Sequence, residues 1–218
     1  MPGHDQSQPL EARILDAAIQ VIGAFGIDGA TVDRVAAAAG RSRVTLHRRG
    51  IGRVEILEAV ARRVAMEFEA SIVPALSAPG TAAERFDSFW PAMFDTADGH
   101  LQFLAGLFAG SESPFHRQVG GTQEAEIATD ARFAAPVERL LRDGELDGTL
   151  APQVDPHDAA TVMFNATMWT YVHFRLAHRW SRDRASLAAR NVFDGLARRT
   201  GDAHRWSVNT QHALGRTG

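Results

Sequence analysis

The sequence predicts an all-α fold of about nine helices, and three observations predict it. Apolar residues recur with the 3.6-residue period of amphipathic helices along most of the chain. Capping residues and Gly or Pro punctuation fall between the periodic runs. No pair of alternating strands and no internal repeat is visible.

The elements follow in order. Ile14, Ala18, Val21, Ile22 and Phe25 form one face of a first helix, which Gly26 terminates. Asp28-Gly29 is a turn, and Thr31 caps a short second helix bearing Val32, Val35, Ala36 and Ala39. Gly40 ends it, Ser42 caps a third helix reaching Arg49, and Gly50 and Gly52 break that one. A longer helix begins near Arg53, carries Ile56, Leu57, Val60, Val64 and Phe68, and should stop near Pro74. Thr81 caps a helix with Phe86, Phe89, Trp90, Met93 and Phe94, interrupted at Asp98-Gly99. Leu101 to Ala109 is a short apolar helix, and Gly110 to Gly121 reads as a loop. A helix over Glu124 to Asp143 contains Pro136, and Asp147-Gly148 is a turn. Asp155-Pro156 starts a helix reaching about Arg179, with Asp155 as N-cap and Pro156 in the first helical position. The last helix spans Arg184 to Arg198, with Ala189, Val192, Phe193 and Leu196 inward. The expected division is a flexible N-terminus over 1–9, a helix-turn-helix domain over 10–52, a helical-bundle domain over 53–200 and a loose tail over 201–218.

Composition narrows the function. The chain has 218 residues, 45% of them hydrophobic and 22% charged, enough for a sizeable core. The absence of cysteine excludes disulfides, a thiol nucleophile and Cys-based metal centres. The polar N-terminus does not read as a signal peptide, and the most apolar run, Ala159 to Ala177, is interrupted by Asn165, His173 and Arg175. A cytoplasmic protein with no membrane partner is expected. The net charge of -3 speaks against a nucleic-acid partner when taken whole. Taken by segment it does not. Residues 1–63 hold nine arginines against seven acids, residues 64–178 hold six against sixteen, and residues 179–218 hold eight against three. All 23 cations are arginine, which fits either a GC-rich genome or a need for planar, multi-donor cations. Arg41, Arg43, Arg48, Arg49 and Arg53 lie in a stretch without any Asp or Glu.

Two short helices around Gly40 have the shape of a helix-turn-helix, whose second helix enters the major groove N-terminal end first. Here that helix begins at Ser42. Leu46 should face the core. Arg43, Val44, Thr45 and His47 should face outward: Arg43 suits bidentate pairing with guanine, and Val44 or the Thr45 methyl suits a thymine methyl. Arg48, Arg49 and Arg53 suit phosphates, as do the backbone amides at Thr31 and Ser42. A solvated arginine face on a purely structural hairpin is the competing reading.

The run from Ile14-Leu15-Asp16-Ala17-Ala18 through Gly29-Ala30-Thr31-Val32, Val35-Ala36, Ala39-Gly40 and Thr45-Leu46 to Ile56-Leu57 resembles the DNA-binding domain of the tetracycline-repressor (TetR/AcrR) family. The resemblance covers Leu10 to Val60. It implies a homodimer, a three-helix domain on an operator in double-stranded DNA, and a variable C-terminal domain that binds a small-molecule effector. The chain departs from the family in places. His47 stands where a phosphate-contacting tyrosine is common, Gly50 where a core phenylalanine is common, and Arg41 replaces a usual valine. Ile51 is expected to recover the lost packing, and Arg53 matches a basic position that touches phosphate.

The helix after Asp155 is apolar on most of its circumference, as a helix packed on two sides would be. One side would meet its own domain; the other, with the last helix and a symmetry mate, would form a four-helix interface. The expected dimer residues are Val172, Leu176, Ala189, Val192, Phe193 and Leu196. Phe86, Phe89, Trp90, Phe94, Phe103, Phe108, Phe164, Met168 and Trp169 are the expected apolar lining of a ligand cavity, with Asn165 as a polar group; Thr167, Tyr171 and His173 are further polar candidates. Plain core is the alternative for each. The acidic balance of residues 64–178 favours a neutral or cationic ligand. No phosphate loop, nucleophile elbow, HExxH or paired Glu-x-x-His motif appears, so neither an enzyme nor a cofactor is expected. The alternative overall reading is a small-molecule-binding bundle or enzyme whose helix-turn-helix is only structural.

Overall fold

The computed structural model describes residues 11–109, 123–152 and 154–197. The described elements are all α-helices: α1 (Ala12–Gly29), α2 (Val32–Ala38), α3 (Arg43–Arg48), α4 (Arg53–Ser77), α5 (Ala82–Gly99), α6 (Leu101–Ala109), α7 (Gln123–Asp147), α8 (Pro156–Leu176) and α9 (Arg182–Ala197). The expected loose N-terminus, the Gly110 to Gly121 loop and the tail lie outside the described residues.

The caps form where the sequence places them. Thr31 Oγ1 accepts from Arg34 N at 3.3 Å, and Ser42 Oγ accepts from Thr45 N at 3.1 Å. At α5, Thr81 Oγ1 accepts from Glu84 N while Glu84 accepts from Thr81 N at 2.8 Å, which satisfies two end donors reciprocally. Asp155 accepts from His157 N at 2.9 Å, with Pro156 in the first turn of α8.

Several expectations are corrected. Phe25 does not face the core; it is 58% exposed, and the Arg34 guanidinium lies over its ring at 4.7 Å. The next residue, Gly26, breaks the helix with φ 72°, so Phe25 is the last residue before the kink. Pro74 does not stop α4. Ile72 and Ala75 are buried and hold the helix against its neighbours, while Pro74 and Ala70 are exposed, so the carbonyl that Pro74 leaves without a donor can face water. α7 runs past Asp143 to Asp147, where Thr149 N and Leu150 N both donate to the Gly144 carbonyl. α8 ends at Leu176 rather than near Arg179, which has φ 52°, and Trp180 N returns to the Phe174 carbonyl at 3.0 Å.

α8 and α9 form an antiparallel hairpin. α5 lies parallel to α8 and antiparallel to α9, a register fixed by ion pairs: Asp98 with Arg175 on α8 (2.8 Å), and Asp95 with Arg182 and Asp87 with Arg190 on α9. Between them Phe94 stacks on Tyr171 at 4.3 Å, and Phe86 and Trp90 pack on Phe193 at 4.6 and 5.4 Å. The Tyr171 hydroxyl donates to Asp98 at 2.8 Å. Burial, and then that carboxylate, push its pKa well above the ordinary phenol range, so Tyr171 stays a neutral donor.

The N-terminal helices join this body through α1 and α4. α1 meets α6 so closely that a Cβ on Gly106 would lie 2.5 Å from Ile27 Cδ1. On α4, Glu67 accepts from Arg63 and binds His100 Nε2, at the α5–α6 junction, at 2.6 Å. Burial raises the Glu67 carboxyl pKa, but its hydrogen bonds to His100 and Arg63 outweigh that and hold it below its ordinary value.

Candidate nucleic-acid interface

α3 is built around one inward side chain. Leu46 is fully buried and shares a core with Ile14, Val35 and Ile51. Ile51 is thus buried as the sequence reading expects, and it stands in for the aromatic residue that Gly50 lacks. Gly40 (φ 66°) supplies the left-handed turn between α2 and α3 that an L side chain rarely adopts. Arg41 N reaches back to the Ala36 carbonyl at 2.8 Å, so the turn is hydrogen-bonded as well as steric.

Thr31, Arg41, Ser42, Arg43, Val44, Thr45, His47, Arg48, Arg49 and Arg53 are all exposed, with Val44 at 59%. They occupy the outer side of the α2–α3 unit and the start of α4. The Ser42 and Thr45 hydroxyls are 2.8 Å apart and bond each other. The amide of Thr31 is not open for a phosphate: it donates to the Gly29 carbonyl at 2.9 Å.

The arginines are less unopposed than the acid-free stretch implies. Arg43 Nη1 lies 3.0 Å from Asp33 on α2. Glu11, at the start of α1, takes Arg49 at 2.6 Å and stands 3.9 Å from Arg41. Arg53 donates to the Ile27 carbonyl at 2.8 Å and lies 3.6 Å from Asp28. Arg48 has no acidic partner among the described residues. These acids come from α1 and α2, so only the fold shows the pairing. Glu11 thereby ties the start of α1 to both ends of α3.

The exposed Arg43–Asp33 pair has a measurable consequence. Exposed pairs are worth about 0.2–1 kcal/mol, so Asp33 competes weakly with any anion for Arg43. Asp33→Asn is expected to raise affinity for random-sequence DNA by up to about five-fold, read by fluorescence anisotropy. An unchanged or lower affinity would refute the competition.

The body residues divide. Phe86, Phe89, Trp90, Phe94, Phe103, Phe164 and Met168 are buried, and the α5 aromatics pack chiefly on one another and on Tyr171 and Phe193. Asn165 is half-buried, its amide spent on the Thr161 carbonyl at 2.8 Å. Trp169 is corrected: it is 40% exposed on the outward side of α8, not inside the body. Phe108 lies in α6, with its side chain outside the described residues. Among the expected dimer residues, Val172, Ala189 and Phe193 are buried in the protomer's own core because they face the α8–α9 seam and α5, so their assignment to a partner surface is corrected. Leu176, Val192 and Leu196 are half-buried, while Val162, Trp169 and Leu187 are exposed. The Trp90 indole N–H and the Thr167 hydroxyl, both buried, have no hydrogen-bond partner among the described residues. A cleft of about 240 Å³ opens where α1 and α4 meet the α5–α6 turn and the end of α8; of the expected cavity residues, Phe103 lines it.

The fold and this exposed face define a helix-turn-helix protein with a helical companion domain. Residues 14–60 match the model of bacterial regulatory proteins, tetR family, which places the N-terminal domain in that family. Solved structures share the fold over most of the chain. A TetR family transcriptional regulator, PfmR of Thermus thermophilus, is 21% identical with a TM-score of 0.60, covering 85% of this chain and 97% of its own. SmeT, the repressor of the Stenotrophomonas maltophilia multidrug efflux pump SmeDEF, is 19% identical with a TM-score of 0.59, covering 88% and 92%. A protein of unknown function from Rhodococcus sp. RHA1 is 20% identical with a TM-score of 0.66, covering 91% and 100%. No curated protein matches the chain.

Proposed function

We propose that the chain is a homodimeric transcriptional repressor that binds a palindromic operator through residues 10–52 and is released when a small, largely apolar molecule binds the domain over 53–200. The observation that carries this reading is the α3 geometry: one buried leucine inside, and Arg43, Val44, Thr45 and His47 exposed outside. Arg43 reads a guanine and Val44 or Thr45 a thymine methyl. Arg41, Arg48, Arg49 and Arg53 exchange their exposed acidic partners, where they have them, for phosphates. SmeT has also been solved as a complex with triclosan, which supports a ligand for a body of this shape. The mechanism is a shift between two states: bound ligand favours a spacing of the two α3 helices that no longer matches half-sites about 34–36 Å apart. The reading contains no catalytic step and no cofactor. It places the protein in the cytoplasm with DNA; no helix among the described residues is long and apolar enough to cross a membrane.

The dimer is proposed to form on the outward side of the α8–α9 hairpin. Val162 and Trp169 on α8 are exposed there, with Leu176 on α8 and Val192 and Leu196 on α9 half-buried. Two copies of this hairpin make a four-helix contact. Trp169→Asp changes a surface residue of the protomer, so folding should be retained while the sizing-column profile moves to the monomer. The same variant should give no two-half-site footprint on DNA. An unshifted profile from a folded variant would exclude this face.

A further inference from the structure

Glycine inside a helix is unfavourable by about 0.5–1 kcal/mol relative to alanine, so each such glycine asks for a reason. Gly106 and Gly144 have one, since a Cβ at either would stand 2.5 Å from Ile27 or Leu150. Gly23, in the middle of α1, and Gly195, in α9, have none of that kind: a Cβ at either would meet nothing within 4 Å, and neither φ lies in the left-handed region. What Gly23 does is line the cleft between the two domains.

Ile19 and Ile22 of α1 and Phe103 of α6 give this cleft apolar walls, and Asp98 and His100 give it a polar edge. The charges at that edge are already balanced. Asp98 Oδ1 accepts from Tyr171 and Arg175, and Glu67 beside His100 is held by Arg63. Asp98 retains a second oxygen as an acceptor, so a neutral group with one N–H or O–H can bond there without importing charge. At about 240 Å³ the space is below the roughly 300–1,000 Å³ of sites for drug-sized ligands.

We infer that this interdomain cleft is a binding site, separate from the aromatic core of the body, for a small neutral, largely apolar molecule with one hydrogen-bond donor directed at Asp98. Gly23 keeps the site open. An occupant touches α1 on one side and the α5–α6 turn on the other, next to the close Ile27–Gly106 contact. It therefore favours one placement of the helix-turn-helix on the body. Binding here does not require that the chain bind DNA.

The test uses the full chain alone, with indole as the probe and N-methylindole as its match without the donor, read by isothermal titration calorimetry. Indole is expected to bind, and N-methylindole to bind about five-fold more weakly for the loss of one hydrogen bond. Gly23→Leu, which fills the space, is expected to weaken indole by about ten-fold or more while circular dichroism shows an intact helical fold. Gln102→Phe blocks the cleft from α6 and serves if Gly23→Leu does not fold. Absence of indole binding at millimolar concentration, equal affinity for the two probes, or unchanged affinity in a folded blocking variant would each overturn the inference.

Discussion

Arg43→Ala is expected to weaken operator binding by about 1–3 kcal/mol and to erase preference at a single base position. The expectation rests on where Arg43 sits. It is the first residue of α3, one past the Ser42 cap, and this end of a recognition helix reaches base edges. Its guanidinium lies on Asp33 at 3.0 Å, with the two side chains 69% and 60% exposed. Water screens so open a pair, and it is worth less than a bidentate contact to guanine, so exchanging one for the other is favourable. Anisotropy titrations against operators carrying each single-base change would read the effect. Equal weakening on every sequence would make Arg43 a phosphate contact instead.

Leu46→Ala is expected to destabilise the protein by about 2–5 kcal/mol, the range for truncating a fully buried leucine. Leu46 is the buried residue of α3, a helix of six residues. A helix that short is not stable by itself and depends on its packing. The variant should melt several degrees lower, at about 2–4 °C per kcal/mol for a chain of this size, and should lose DNA binding while the body stays helical. A melting curve identical to wild type would mean that α3 is held by the Glu11 ion pairs and not by its core contact.

The sequence was most legible where structure is local. Thr31, Ser42, Thr81 and Asp155 each begin the helix they were expected to begin, because capping depends on residues two or three positions away. It was less legible where several helices meet. An acid-free run around Arg41 to Arg53 reads as a bare cationic patch, yet Glu11, Asp28 and Asp33 reach it from α1, its end and α2. Periodicity shows that α8 and α9 are apolar but not which apolar residue faces which neighbour. On periodicity alone Phe193 and Val172 read as partner contacts, but they are core; Trp169 reads as cavity lining, but it is exposed. The cleft beside Gly23 has no sequence signature at all. Its walls come from several helices, and its one local sign, a glycine inside a helical run, resembles any other helix-interior glycine until the neighbours are in place.

In the proposed mode α3 reads a DNA sequence while the surrounding arginines hold phosphates. The affinity of the protein for its own upstream region and for a scrambled duplex, across a range of salt, checks this division of roles. The upstream region is expected to bind at least about 10³-fold more tightly than the scrambled duplex. Log K is expected to fall linearly with log salt, with a slope of about -0.9 for each phosphate neutralised. No complex at low salt, or equal affinity for the two duplexes, would contradict it.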